Sequence, residues 1–186
     1  MTRLFAAALA VLALPLTGCS QDEPIREVEA AKPQVAELPW DEPATDAERT
    51  LRFRVTAFRV TTTGWEAEIA IENDTDVGWR IPAARRSALR AFGVMLFSDG
   101  KLSTLEEASR RGTTPPVRQA DSTVPATPTV LDAGASWRGT ISARGALPRG
   151  AWLRVSFGPF TAVGRPPQGL GRGTFSWITD HAYRLR

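Results

Sequence analysis

From Thr50 onward, apolar and polar residues alternate with a period of two. The run "LRFRV" places Leu51, Phe53 and Val55 on one face and Arg52 and Arg54 on the other. The phase slips at Ala57-Phe58, which predicts a bulge, and Phe58 and Val60 then continue the apolar face. Thr61 to Gly64 reads as a turn. "WEAEIAIE" follows, with Trp65, Ala67, Ile69 and Ile71 inward and Glu66, Glu68 and Glu72 outward. Alternation of this length predicts half-buried strands. Arg52, Arg54 and Arg59 are expected to face that glutamate row across a hairpin, as cross-strand ion pairs.

The rest of the chain extends this pattern. Asn73 to Asp76 is a turn cluster. In "AFGVMLFSDGKLSTL", Asp99-Gly100 between two apolar stretches predicts a hairpin. "STLEEASRRG" departs from period two. Ser103 with Glu106 fits a capping box and Gly112 a stop, so a short helix is expected near 103–111. The proline-rich stretch from Thr113 to Pro128 predicts a loop. Strands return in "ASWRGTISA", "AWLRVSFGP" and "GTFSWITDHAYRL". Many strands without βαβ alternation predict an all-β domain over 50–186, an antiparallel β-sandwich, with a small β-barrel as the alternative. The segment "LDAGASWRGTISARGALPRGAWLRVSF" resembles the late strands of Ig-like domains in envelope lipoproteins, which implies an Ig-like sandwich. The Cys–Trp–Cys spacing of immunoglobulin domains is absent.

The first residues follow a different pattern. Met1-Thr2-Arg3 is a short basic start, and Leu4 to Leu16 is almost wholly apolar. That run is about a dozen residues, against about 20 for a spanning helix. A basic start, a short apolar run and small residues at its end predict a signal peptide over 1–18. Leu16-Thr17-Gly18-Cys19 resembles the lipobox of bacterial lipoproteins. The resemblance implies diacylglycerol on the Cys19 thiol, cleavage after Gly18 and a membrane as partner. It places the chain in the cell envelope on the extracytoplasmic side, and Ser20 would favour the outer membrane in a Gram-negative cell. Cys19 is the one cysteine, so no intramolecular disulfide forms.

Between anchor and domain, Ser20 to Arg49 holds nine acidic residues against Arg26, Lys32 and Arg49, with four prolines. Such a composition predicts a disordered acidic tether over 19–49. Trp40 is its exception, expected to rest on the domain. The domain is basic, with 19 Lys and Arg against 11 Asp and Glu from Thr50 onward. Eight of those cations lie between Arg80 and Arg118, beside only Asp99, Glu106 and Glu107. Arg85, Arg86 and Arg90, with Arg110 and Arg111, are the candidate anion-binding residues, facing an envelope protein, an anionic lipid or an acidic glycopolymer. Their bland use is a solvated basic surface. Trp79 and Arg80 in "DVGWRIP" are a candidate contact pair, with Trp79 as a lid over the sandwich the competing use.

Catalytic signals are weak. The single histidine, His181, and the single cysteine cannot supply a zinc site of His and Cys ligands. No G-x-S-x-G elbow occurs. No nucleic-acid motif appears, and no cofactor is expected. The function these residues favour is a non-catalytic binding or accessory module. The alternatives are a hydrolase using His181 and a purely structural envelope component.

Overall fold

The computed structural model describes residues 29–82, 91–167, 169–170 and 174–186. In chain order the elements are β1 (Gln34–Pro43), β2 (Leu51–Val60), β3 (Gly64–Asn73), β4 (Gly78–Arg80), β5 (Phe92–Phe97), α1 (Leu102–Arg111), β6 (Arg118–Gln119), β7 (Ser122–Val124), β8 (Val130–Leu131), β9 (Ser136–Arg144), β10 (Trp152–Val163), β11 (Thr174–Ile178) and β12 (Tyr183–Arg184). They form two antiparallel sheets that do not close into a barrel. One has the order β1-β2-β3-β9-β7. The other is built on β10, which pairs with β5, β4, β11 and β12 along its length. The domain is the all-β sandwich that the alternation predicts.

The hairpin β2–β3 forms as read. Leu51, Phe53, Val55, Phe58 and Val60 are buried, as are Trp65, Ala67, Ile69 and Ile71. The ladder register shifts between Val55 and Ala57, so the bulge falls where the alternation slips. Burying each large apolar side chain contributes about 1.5–3 kcal/mol. Phe53 meets the opposite sheet directly, its ring 4.8 Å from that of Phe157. Phe160, Phe175 and Trp177 lie within 6.1 Å of it in near-parallel planes. On the outer face, Arg59 pairs with Glu66 at 3.8 Å, and Arg54 ion-pairs with Glu72. The turn cluster is pinned by Asn73, whose buried amide donates to the carbonyls of Val77, Leu131 and Asp132.

Four expectations are corrected. The 19–49 tether does not run to Arg49. Gln34–Pro43 is a ten-residue edge strand, β1, hydrogen-bonded along β2. Its acidic residues hide an alternation that buries Leu38, Trp40 and Glu42. The prolines are tolerated because an edge strand needs only half of its backbone donors. Asp99-Gly100 does not turn a hairpin but leads into α1. There the Asp99 carboxylate accepts from the Lys101 backbone N–H at 2.9 Å and the Thr104 hydroxyl at 3.1 Å. The expected capping box does not form, since the helix begins one residue before Ser103. Gly112 ends the helix as expected, in the left-handed region at φ 66°. Finally, the last strand stops at Ile178 and resumes only at Tyr183, so Asp180 and His181 lie in a turn. The signal peptide 1–18 and Cys19 lie outside the described residues.

Candidate functional site

The alternation that turns Leu38 and Trp40 inward also turns Glu42 inward, at the end of β1. Its carboxylate is 4 % exposed and accepts four donors. One oxygen takes the Trp177 indole N–H at 2.9 Å and the Asp180 backbone N–H at 2.8 Å. The other takes the His181 backbone N–H at 3.0 Å and lies 2.7 Å from His181 Nδ1. Facing a carboxylate, Nδ1 carries the ring hydrogen. The imidazole stacks on Trp40, 5.9 Å between centroids at 19°. Its side chain is 59 % exposed.

A second buried charge grips the same turn from the other side. Arg154 on β10 is fully buried and faces away from the sandwich core, under α1. It donates through Nη1 to the Thr179 carbonyl at 2.7 Å and to that of Asp180. Through Nη2 it donates to the carbonyls of Gly100 and Lys101, at 3.1 and 3.0 Å. The guanidinium stands 5.5 Å from the centroid of the Phe97 ring, a cation–π placement. Its Nε is buried without a partner. Gly100 is required here, because a Cβ would come within 2.4 Å of the Trp152 ring. The Thr179 hydroxyl accepts the Val155 N–H and donates to the His181 carbonyl, both at 3.0 Å. Asp180 thus offers its N–H to Glu42 and its carbonyl to Arg154.

Burial pulls the Arg154 guanidinium below its ordinary value, with Asp180, Glu42 and Asp99 opposing that shift. Burial pushes the Asp180 carboxyl up, helped by the charge of Glu42, while Arg154 and His181 pull the other way. Chemically, Glu42 orients an imidazole through Nδ1 and leaves Nε2 outward, the posture of a general base. Among the described residues no hydroxyl or thiol hydrogen-bonds to Nε2. No cluster of three or more His, Cys, Asp or Glu suited to a metal occurs among them either. No helix among the described residues is long and apolar enough to cross a membrane.

The sequence-predicted residues are not brought into one site. Trp79 is 1 % exposed and donates its indole N–H to Thr75 Oγ1 at 3.0 Å. It is a core residue rather than a contact anchor, and β4 carries it inward while Arg80 points out. Arg110 and Arg111 occupy the last turn of α1, where cations complement the helix dipole, and Arg111 ion-pairs with Glu107. Arg85, Arg86 and Arg90 lie outside the described residues. Sequence reasoning missed Glu42 and Arg154. Glu42 had a usable signal, the inward phase of Leu38 and Trp40. Arg154 had a misleading one, since a charged residue between Leu153 and Val155 reads as solvent-facing.

Compared with protein families, curated proteins and solved structures, the chain finds no match.

Proposed function

We propose that this protein is a lipid-anchored cell-envelope component whose β-sandwich, Ig-like in character, serves as a non-catalytic binding or accessory module. The observation that carries the reading is Cys19 in its setting. It follows Leu16-Thr17-Gly18 at the end of a short apolar run and is the only cysteine in the chain. The fold supports it, because Glu29, ten residues after Cys19, is already bonded to the domain through Arg149. The Glu42 carboxylate supports the non-catalytic part. Its oxygens are filled by donors that hold β1 to the Thr179–Ala182 turn, which is a structural use.

Cys19→Ala should abolish lipid labelling and release the protein from membranes. Two acyl chains, each adding about 0.8 kcal/mol per buried methylene, make such an anchor stable. Membrane retention of the variant equal to that of the parent would overturn the reading.

The second reading, an envelope hydrolase, is favoured by one observation, the Glu42–His181 pair with Nε2 outward. It requires ester or amide cleavage by the purified chain that His181→Ala removes while leaving the melting temperature within a few degrees.

A further inference from the structure

The chain does not join the domain at an arbitrary place. The Arg149 backbone N–H donates to the Glu29 carbonyl at 2.7 Å, and the Arg149 side chain ion-pairs with the Glu29 carboxylate at 2.8 Å. Ala30 bridges to Pro148, and the Ala31 N–H donates to Leu147. The Lys32 N–H and the Gln34 side chain both donate to the Arg186 carbonyl, at 2.8 and 3.1 Å. Tyr183 Oη donates to Gln34 Oε1 at 2.8 Å. The arriving chain is therefore stapled across one end of the sandwich, between the 145–150 loop and β12.

That end is basic. Lys32, Arg149, Arg184 and Arg186 are exposed on it. Arg118 reaches the same loop, donating to the Ala146 carbonyl at 3.0 Å. Of the acidic residues near them, Glu29 is paired to Arg149 and Asp121 accepts from the Arg144 backbone N–H. An open groove of about 690 Å³ runs between Arg149 and the segment Tyr183–Arg186, with Trp152 half-buried in its wall.

We infer that this end docks on anionic phospholipid headgroups of the bilayer that holds the anchor. The inference rests on the lipid-anchor reading. Ten residues reach at most about 35 Å, so a lipid on Cys19 keeps the arrival point close to the surface. The anchored domain can tumble, but the staples make its basic end the part nearest the leash. A tethered surface meets headgroups at high effective concentration, so a weak attraction suffices. Each Lys or Arg near an anionic surface shifts the balance roughly fivefold toward the docked state. The acidic residues Asp22, Glu23 and Glu27 of the leash oppose this in part, leaving docking reversible and salt-sensitive. The occupant is a layer of headgroups rather than one ligand, because the cations are spread around the rim of an open groove.

The test uses the lipidated full chain, with the lipid on Cys19 verified by mass spectrometry of its peptide. It is reconstituted into vesicles of phosphatidylcholine, or of phosphatidylcholine with phosphatidylglycerol. Lipidation blocks Cys19, so an introduced cysteine is the one free thiol. A fluorophore is placed on Ala146→Cys in the basic loop, or on Ala133→Cys in the exposed turn at the other end of β9. Quenching by a headgroup-borne quencher reports proximity. The expected result is a rise in quenching at 146 relative to 133 on going from neutral to anionic vesicles, a difference that is lost in high salt. Replacing Arg118, Arg149, Arg184 and Arg186 with Gln should abolish the difference, and replacing them with Lys should keep it. Equal quenching at 146 in neutral and anionic vesicles, with the lipid present, overturns the docking and leaves the anchor intact. So does a difference that survives the Gln replacements. A peptide bearing unmodified Cys19 overturns the anchor itself, and the docking with it.

Discussion

The sandwich interior and the polar seam at its edge hold the same two sheets together by opposite means. In the interior, Phe53 lies among the rings of Phe157, Phe160, Phe175 and Trp177, held by apolar contact alone, although Trp177 also reaches the seam through its indole N–H. At the seam, buried Glu42 and buried Arg154 grip the turn 179–181 from two sides. Burial of apolar area is non-directional, so the interior rewards volume and forgives shape. Buried charge is directional, and a partner left unpaired costs its full desolvation. The interior supplies most of the stability. The seam sets where β1 and the C-terminal turn lie against each other.

The interior should give the largest effect. Phe53→Ala removes the ring that joins both sheets and should cost about 3–5 kcal/mol, whereas Phe53→Leu should cost about 1.5 kcal/mol or less. Urea unfolding midpoints measure both. Similar costs for the two variants would show that shape, not volume, governs this contact.

The seam should show the reverse insensitivity to volume. Glu42→Gln preserves size, yet it sets an NH₂ group against donors that the carboxylate accepts, so about 2 kcal/mol should be lost. Amide exchange at Asp180 and His181 should rise well before exchange in β2 and β3. Unchanged protection at those two amides would break the distinction drawn between seam and interior. The unpartnered Nε of Arg154 carries the same kind of cost, offset by the guanidinium's four other donor contacts and the Phe97 ring.

The two regions were also unequally legible in the sequence. Hairpin β2–β3 was readable because its two faces differ in every property, apolar inward and Arg or Glu outward. β1 obeys the same period but breaks it with Pro39, Pro43 and acids, and composition outweighed phase in the reading of Gln34 to Pro43. The alternation carries the partners of Arg52 and Arg54 only in part. Asp41 of β1 reaches both, at 2.8 and 3.1 Å. Burial raises the Asp41 carboxyl, but hydrogen bonds from those arginines outweigh it and leave the group below its ordinary value. The candidate site was less legible still. It depends on a residue from β1 and one from β10 meeting a turn near the C-terminus, and no local pattern encodes such a meeting. His181 stood out by being unique, but its partner was hidden inside a segment read as tether.

The smallest effect expected concerns Asp180, and it separates the turn's charge from its backbone. Its side chain lies near Glu42, and its carboxyl is raised above the ordinary value of 3.8. The folded protein therefore binds this proton more tightly than the unfolded chain does. Stability from this group rises as pH falls through the raised folded value, and the gain is complete below about 3.8. At neutral pH the ionised carboxylate is a small liability, screened by solvent at this exposed position. Asp180→Asn keeps both backbone contacts, the N–H to Glu42 and the carbonyl to Arg154, and removes only the charge. It should stabilise the fold slightly at pH 7, by roughly half a kcal/mol or less. That advantage should shrink as pH drops and vanish below the ordinary carboxyl value, where the parent is already neutral. Paired urea melts at neutral and acidic pH measure the closing gap. An advantage that persists in acid would mean that the asparagine acts through the backbone of the turn, and that the seam is limited by geometry rather than by its crowded negative charge.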